Sequence, residues 1–140
     1  MRLLAAGTFA SLAALAPGAA SPAAPGRDRG RYLIEQASMC VQCHSPRDAD
    51  GRLIEARKLT GGVVPLPAPF PAIAWALRAP RISGFPGYSR EEAVRLLTTG
   101  IARTGKPPKA PMPPFRLTRE DAESIYDYLK SLDPAARPVR

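Results

Sequence analysis

The chain has 140 residues, of which 45% are hydrophobic, and its 20 Lys and Arg against 12 Asp and Glu give a formal net charge of +8. This length fits one domain, because two separate cores would each bury too little apolar surface. The hydrophobic fraction excludes a fully disordered polymer, although 17 prolines and 11 glycines predict much irregular structure. With two cysteines and one histidine, any site built from these residue types has almost no choice of ligands.

The start of the chain has the three sections of a secretory signal peptide. Arg2 is followed by an uncharged Leu/Ala-rich stretch over residues 3–16, then by a helix-breaking Pro-Gly pair and small residues. This pattern predicts cleavage, which we place after Ala20. An uncleaved membrane anchor ranks second, because the apolar run is shorter than the ~20 residues that a spanning helix needs. We therefore expect an exported, periplasmic protein with these parts: a signal peptide (1–20), a flexible N-terminus (21–28), one folded domain (29–133) and a C-terminal tail (134–140).

The basic residues are spread singly along the chain, with few aromatic residues among them. This is a poor match to a nucleic-acid groove, and we expect no nucleic-acid partner. Two interpretations remain: a solvated basic surface, or electrostatic steering towards an acidic protein or an anionic membrane surface.

Apolar residues at helical spacing, together with capping residues, predict three main helices. The second has Ser89 and Glu92 as a capping box and Gly100 as a left-handed stop. The third has acidic residues in its first turns, where the helix dipole favours negative charge. The helices are expected from about Arg29 to Met39, from Ser89 to Gly100, and from Thr118 to just before Pro134. Their apolar stripes are Leu33, Ile34 and Ala37; Ala93, Leu96 and Leu97; and Ala122, Ile125, Leu129 and Leu132, flanked by Tyr128.

Two proline-rich segments between the helices cannot form regular secondary structure. Residues 61–80 contain five prolines, four of them at alternate positions from Pro65 to Pro71, which impose extended backbone. Residues 106–115 contain five prolines in ten positions. Loops of this length in a compact domain are usually functional. The sequence therefore predicts a small all-α domain whose helices leave part of the core to be supplied by another group.

The chemistry is concentrated in Cys40-Val41-Gln42-Cys43-His44, the pattern C-x-x-C-H. This pattern is typical of covalent c-type haem attachment. The two thiols can add to the two vinyl groups on one edge of the porphyrin, and the imidazole of His44 follows immediately to bind the iron. Because the motif uses both cysteines and the one histidine of the chain, we expect a single covalent haem.

Three other uses of the cysteines fit less well. A disulfide between Cys40 and Cys43 would close a very small loop and would not need an adjacent histidine. A thioredoxin-like redox pair belongs in an alternating strand and helix pattern, which this sequence lacks. Structural zinc normally takes four Cys or His ligands, and the whole chain has three such residues.

Met112 is the expected second axial ligand of the iron. A second histidine does not exist, which excludes bis-histidine ligation within the chain. Met39 lies directly before the motif, where we expect an ordinary packing residue. Met112 lies in the proline-rich segment with 67 residues between it and His44, and His/Met ligation raises the reduction potential. The alternatives left open are a core role for Met112 and ligation by a lysine of the same segment, Lys106 or Lys109.

Four segments, spread over about residues 29–132, share a pattern with one family. They are Arg29-Gly30-Arg31-Tyr32 and the helix up to the motif; Ala79-Pro80-Arg81-Ile82-Ser83-Gly84; Pro111-Met112-Pro113-Pro114-Phe115; and Leu117-Thr118 through Leu132. Together they resemble the class I cytochromes c, small single-haem electron carriers. The second segment is similar to that family's Gly-Pro-Asn-Leu-x-Gly, with Ala79 and Arg81 in place of Gly and Asn. The third is similar to its Met-Pro-x-Phe ligand loop.

This resemblance implies an all-α cytochrome c-like fold wrapped around one covalent haem. It implies that the Pro80 carbonyl accepts a hydrogen bond from the second ring nitrogen of His44, and that Met112 ligates the iron. Gly30 would be the small residue where the first and last helices cross. The segment 51–75 is longer than in minimal members of the family and resembles cytochromes that serve as subunits or partners of periplasmic dehydrogenases.

The resemblance also implies a one-electron carrier rather than an enzyme. Both axial positions would be filled by protein, so no open site would bind a substrate. Two other functions stay open: a haem-based sensor or catalyst whose bond to Met112 is labile, and an electron-transfer subunit of a dehydrogenase complex. The expected partners are a dehydrogenase as donor and an oxidase or other acceptor, with a membrane surface as a further candidate.

Overall fold

The computed structural model describes residues 26–71 and 73–133, so the predicted signal peptide and C-terminal tail lie outside the described residues. Long loops connect the elements, and none of the described helices is long and apolar enough to cross a membrane. The fold is mostly helical, in agreement with the all-α prediction. The helices are α1 (Arg27–Tyr32), continued by a π-helical turn (Leu33–Ala37), α2 (Val41–His44), α3 (Arg90–Thr99) and α4 (Arg119–Ser131). A 3₁₀ turn (Glu55–Arg57) and two short strands, β1 (Gly62–Val63) and β2 (Arg78–Ala79), complete the set.

The first predicted helix is present with two differences. It begins slightly earlier, and its second half is a π-helical turn, in which the N–H of Ser38 donates to the carbonyl of Leu33 at 2.7 Å. Leu33 and Ile34 are buried, whereas Ala37 is exposed. The prediction for Ala37 is wrong because the wider turn rotates this residue out of the core. Met39 then takes a left-handed conformation with φ of 51°, which ends the helix directly before the C-x-x-C-H motif.

Gly30 lies where α1 crosses α4, as expected. A Cβ atom at this position would lie 2.0 Å from the backbone oxygen of Ser124, so only glycine lets the two backbones approach this closely. Ser124 is fully buried. Its hydroxyl accepts a hydrogen bond from the N–H of Gly26 at 3.1 Å and donates to the carbonyl of Glu120 at 2.8 Å. The crossing therefore joins the two ends of the described domain.

The capping box predicted for α3 is confirmed. The hydroxyl of Ser89 accepts a hydrogen bond from the N–H of Glu92 at 3.2 Å, and a carboxylate oxygen of Glu92 accepts one from the N–H of Ser89 at 3.0 Å. Gly100 ends the helix in the left-handed conformation, with φ of 69°. The predicted core residues of this helix are buried, and Val94 joins them.

Thr118, the predicted start of the last helix, caps α4, because its hydroxyl accepts a hydrogen bond from the N–H of Asp121 at 3.2 Å. Its apolar stripe faces the core, although Leu132 is only partly buried. The π-helical turn, α2, α3, α4 and two loop residues contribute to one cluster of buried residues. Its members are Leu33, Ile34, Val41, Leu59, Phe85, Ala93, Val94, Leu96, Leu97, Ala122, Ile125 and Leu129.

A short antiparallel ladder between β1 and β2 closes the first proline-rich segment. The pairing escapes sequence prediction because each strand has only two residues. Between the strands the described residues 64–71 and 73–77 form a long loop. The N–H of Ala76 donates to the carbonyl of Ala110 at 2.6 Å, which ties this loop to the second proline-rich segment.

Candidate functional site

One cavity lies between the helices and the two proline-rich segments. Its volume is about 510 Å³, within the range of roughly 300–1,000 Å³ that is usual for small-molecule and cofactor sites. The residues that the sequence singled out for the site all line it: Cys40, Cys43, His44, Pro80 and Met112. Apolar side chains form most of the remaining wall, among them Ile34, Phe85, Leu96, Leu97, Phe115, Ile125 and Leu129. The fold therefore brings the predicted residues together around an apolar space of cofactor size.

The C-x-x-C-H motif lies on the short helix α2, directly after the left-handed turn at Met39. Cys40 and Cys43 stand three positions apart, so their side chains lie on one face of the helical turn, and both thiols are free. Burial raises the pKa of the Cys40 thiol to about 11, which keeps it protonated at neutral pH. A redox-active Cys-x-x-Cys pair has the opposite property, a lowered thiol pKa. The environment of Cys40 therefore disfavours a thioredoxin-like role.

The imidazole of His44 is held by one hydrogen bond. The residue is 7% exposed, and its Nδ1 lies 2.8 Å from the carbonyl oxygen of Pro80. Because a carbonyl can only accept, Nδ1 carries the proton and Nε2 keeps its lone pair in the neutral ring. Burial lowers the pKa of His44, and the bond to Pro80 opposes this shift in part. A neutral imidazole with an unprotonated Nε2 is the form that binds a metal ion.

Leu59 places the segment that carries Pro80 next to the motif. Its carbonyl accepts a hydrogen bond from the N–H of Ser83 at 3.0 Å, and its own N–H donates to the hydroxyl of Ser45 at 3.0 Å. Leu59 is 1% exposed and has φ of 62°, which is unusual for a residue other than glycine. Sequence reasoning had no signal for this residue, because its role depends on backbone groups. By bonding both Ser45 and Ser83, Leu59 holds together the two segments that form the hydrogen bond between His44 and Pro80.

Met112 lines the cavity from the second proline-rich segment. It packs against the core and is partly buried. Prolines on both sides of it restrict the backbone, and the N–H of Leu117 fastens the end of the segment by donating to the carbonyl of Leu97 at 3.0 Å. Of the two lysines considered as alternative ligands, Lys109 lines the cavity, whereas Lys106 lies outside the set of described residues that form its wall.

Two arginines, Arg78 and Arg81, also line the cavity, although neither is among the site residues named from the sequence. Arg81 is oriented by Ser83, whose carbonyl accepts a hydrogen bond from its Nε at 2.8 Å. The charge pattern of the sequence could have indicated a basic site here, because residues 56–90 contain five basic residues and no acidic one. The cavity therefore combines an apolar wall with cations and lacks a carboxylate from this stretch.

Met39, which we expected to be an ordinary packing residue on the attachment side of the haem, is 54% exposed in the structure, and its packing stays a prediction. Met39 nevertheless lines part of the cavity, next to the first cysteine of the motif.

The family model for cytochrome c matches residues 28–133, and the chain belongs to the cytochrome c family. Membership of this family implies covalent haem c and electron transfer through its iron. The residues that line the cavity fit this group, because an apolar space contains two thiols and an imidazole with a free Nε2 lone pair.

Two curated relatives are similar to parts of the chain. A diheme cytochrome c-type protein of Cereibacter sphaeroides is 45% identical over 42 residues, which cover 30% of this chain and 14% of the relative. A nicotinate dehydrogenase subunit of Pseudomonas putida is 33% identical over 119 residues, which cover 76% of this chain and 9% of the relative. The chain therefore spans only a small share of the length of either relative.

Proposed function

We propose that this chain is an electron carrier with one covalent c-type haem, ligated by His44 and Met112, that exchanges single electrons with redox partners. The observation that carries this proposal is the cavity, because Cys40, Cys43, His44 and Met112 all line one apolar space of cofactor size. When bound, the haem iron supplies reversible one-electron chemistry. The chain supplies attachment, ligation and exclusion of water.

Each of these residues has a separate role in the proposal. Cys40 and Cys43 hold the group through thioether bonds, each formed when a thiol adds across a vinyl double bond. His44 offers its Nε2 lone pair, while Pro80 fixes the orientation of the ring by accepting the hydrogen bond from Nδ1. A hydrogen-bond acceptor of this kind also raises the basicity of the ligating histidine. Met112 offers a thioether sulfur, which raises the reduction potential.

A carrier differs from a haem-based sensor or catalyst in keeping both axial positions filled. Met112 has a proline on each side, and its segment is fastened at Ala110 and at Leu117 by backbone hydrogen bonds. These restraints leave the backbone around Met112 few accessible conformations. The geometry therefore supports a bond that stays closed, which is the property of a carrier.

Replacing Met112 with alanine is expected to open the iron to small ligands. Carbon monoxide should leave the absorption spectrum of the ferrous wild type unchanged and should shift that of the Met112→Ala variant at once. The reduction potential should fall by on the order of 0.1 V, a fraction of the ~0.8 V that axial ligands span. Lys109→Ala is the matched control, because Lys109 lines the same cavity from the same segment, and this variant should not bind carbon monoxide. Binding by the wild type would instead favour the sensor or catalyst.

The mass of the purified holoprotein tests export and haem number together. We expect a periplasmic chain that begins at Ser21 and carries one haem, since residues 1–20 have the signal-peptide pattern and one motif uses both cysteines. Intact-mass spectrometry under denaturing conditions reports both quantities. A chain that retained residues 1–20 would indicate a membrane anchor, and loss of the haem on denaturation would contradict covalent attachment.

A second candidate function is that of an electron-transfer subunit in a dehydrogenase complex. The relative from Pseudomonas putida bears the name of a dehydrogenase subunit, and its match covers 76% of this chain. A subunit would co-purify with a dehydrogenase in fixed proportion through gel filtration at high salt, whereas a free carrier would separate from it.

A further inference from the structure

The loop between the two strands exposes a series of apolar side chains. We define the apolar loop as the described residues 63–71 and 73–77, from the end of β1 to the residue before β2. The exposed fractions of its most exposed large side chains range from 44% at Ile73 to 77% at Leu77. Five of the seven large hydrophobic residues that are exposed in the described part of the chain belong to this loop: Val63, Leu66, Phe70, Ile73 and Leu77.

The side chains of the apolar loop carry almost no hydrogen-bonding groups. Between Gly61 and Leu77 the indole of Trp75 is the only side chain with a hydrogen-bonding atom. That indole N–H already donates to the carbonyl of Leu66, at 2.9 Å. Four residues of the loop are prolines, which have no backbone N–H. The loop therefore takes no free polar side chain into an apolar medium, whereas its backbone carbonyls require the hydrated headgroup region of a bilayer.

Basic residues outnumber acidic ones in the stretches of sequence on either side of the apolar loop. Residues 56–90 and 93–119, which include both proline-rich segments, contain eleven basic residues and no acidic one. Arg78 follows the loop directly, and Arg81 and Lys109 line the same cavity as Arg78. All the acidic residues lie in other parts of the chain. The loop is thus an apolar surface with cationic neighbours.

We infer that the apolar loop inserts into the interface of a lipid bilayer that contains anionic headgroups. Apolar and aromatic side chains beside Arg and Lys are the combination that binds such interfaces. A protein partner is favoured less, because protein interfaces carry about one hydrogen bond per 100–200 Å² and the loop offers no free side-chain donor or acceptor. A second copy of the chain is also favoured less, because it would bring equal charges together around Arg78.

Insertion of the apolar loop places the cavity next to the membrane. Val64 and Ala76 of the loop line the cavity, together with Arg78, so a bilayer that takes up the loop lies beside the site. Only the biological role of this membrane binding rests on the proposed function: it would hold an electron carrier close to membrane-bound redox partners. Vesicle binding does not depend on electron transfer, so the two proposals fail separately.

Co-sedimentation of the holoprotein with vesicles tests the inference. One set of vesicles contains phosphatidylcholine alone, and the other contains equal amounts of phosphatidylcholine and phosphatidylglycerol. The wild type should bind the anionic vesicles more strongly than the neutral ones. The Phe70→Ser/Leu77→Ser variant should lower the partition coefficient about tenfold or more, because two apolar side chains no longer enter the interface. Tyr32→Ser is the matched control, since Tyr32 is 53% exposed on α1, and it should bind like the wild type.

Three results would overturn the inference. Failure of the wild type to bind the anionic vesicles would indicate that the apolar loop binds a protein partner instead of a bilayer. Equal binding by the wild type and the Phe70→Ser/Leu77→Ser variant, abolished by high salt, would show adsorption through charge alone. A dimer in sedimentation velocity that this variant dissociates would assign the loop to a second copy. An unchanged haem spectrum in each variant confirms that the fold is intact.

Discussion

The Cys40→Ala/Cys43→Ala variant is expected to lose its covalent haem and, with it, its cooperative thermal transition. Without attachment, the cavity of about 510 Å³ lacks the group that would fill it. An unfilled cavity loses the packing and burial that the haem would supply against its apolar wall. The net stability of a small domain is only about 5–15 kcal/mol, so this loss can abolish the folded state. The helices alone should therefore not maintain the fold.

Two measurements on this double variant check the result. Haem staining after denaturing electrophoresis reports attachment, and circular dichroism during heating reports cooperativity. Gln36→Ala is a suitable control, because Gln36 is exposed in the π-helical turn just before the motif, and it should keep both signals. A cooperative transition in the double variant at the wild-type midpoint would show that the haem is not part of the core.

The Gly30→Ala substitution is expected to lower the free energy of unfolding of the holoprotein by about 3 kcal/mol or more. On helix propensity alone this change would stabilise α1 by about 1 kcal/mol. At the helix crossing the substitution instead destabilises the protein, because the new Cβ would lie 2.0 Å from the backbone oxygen of Ser124 and 2.8 Å from the Cβ of Tyr128. The clash involves backbone, so it can be relieved only by moving α1 away from α4.

Denaturant unfolding of the Gly30→Ala holoprotein measures this loss. Gly51→Ala is a useful comparison, because a Cβ at Gly51 would meet no atom within 4 Å, although the residue has φ of +80°. Left-handed strain alone should cost this variant about 1–2 kcal/mol. If Gly30→Ala proved no less stable than Gly51→Ala, the contact between the two helices would be looser than the structure indicates.

The features that sequence could predict are those whose physical cause is local in the chain. The capping box of Ser89 and Glu92 depends on residues three positions apart, and the left-handed stop at Gly100 depends on one residue. The C-x-x-C-H motif is local in the same sense. Met112 was reached by elimination and Pro80 through resemblance to a family, since neither residue has a local signature. Both line the same cavity as His44.

Other features depend on contacts between distant parts of the chain. The exposure of Ala37 follows from a wide turn that no simple residue pattern marks. Leu59 acts through backbone groups that it brings to Ser45 and Ser83, so its side chain carries no sign of this role. The exposure of Phe70 depends on a ladder between strands of two residues each. Sequence patterns at period two or 3.6 cannot detect such short elements.

The number of residues in the π-helical turn at Leu33–Ala37 sets the orientation of the C-x-x-C-H motif relative to Gly30. On its N-terminal side Gly30 has to meet α4, and on its C-terminal side Cys40 and Cys43 have to face the cavity. Each residue of an α-helix adds about 100° of rotation, and each residue of the wider π-helical turn adds less, so deletion of one residue from the turn would rotate the motif by about a quarter of a turn relative to Gly30. Exposed positions of the turn are therefore free to change in identity, whereas insertions and deletions there should be eliminated by selection.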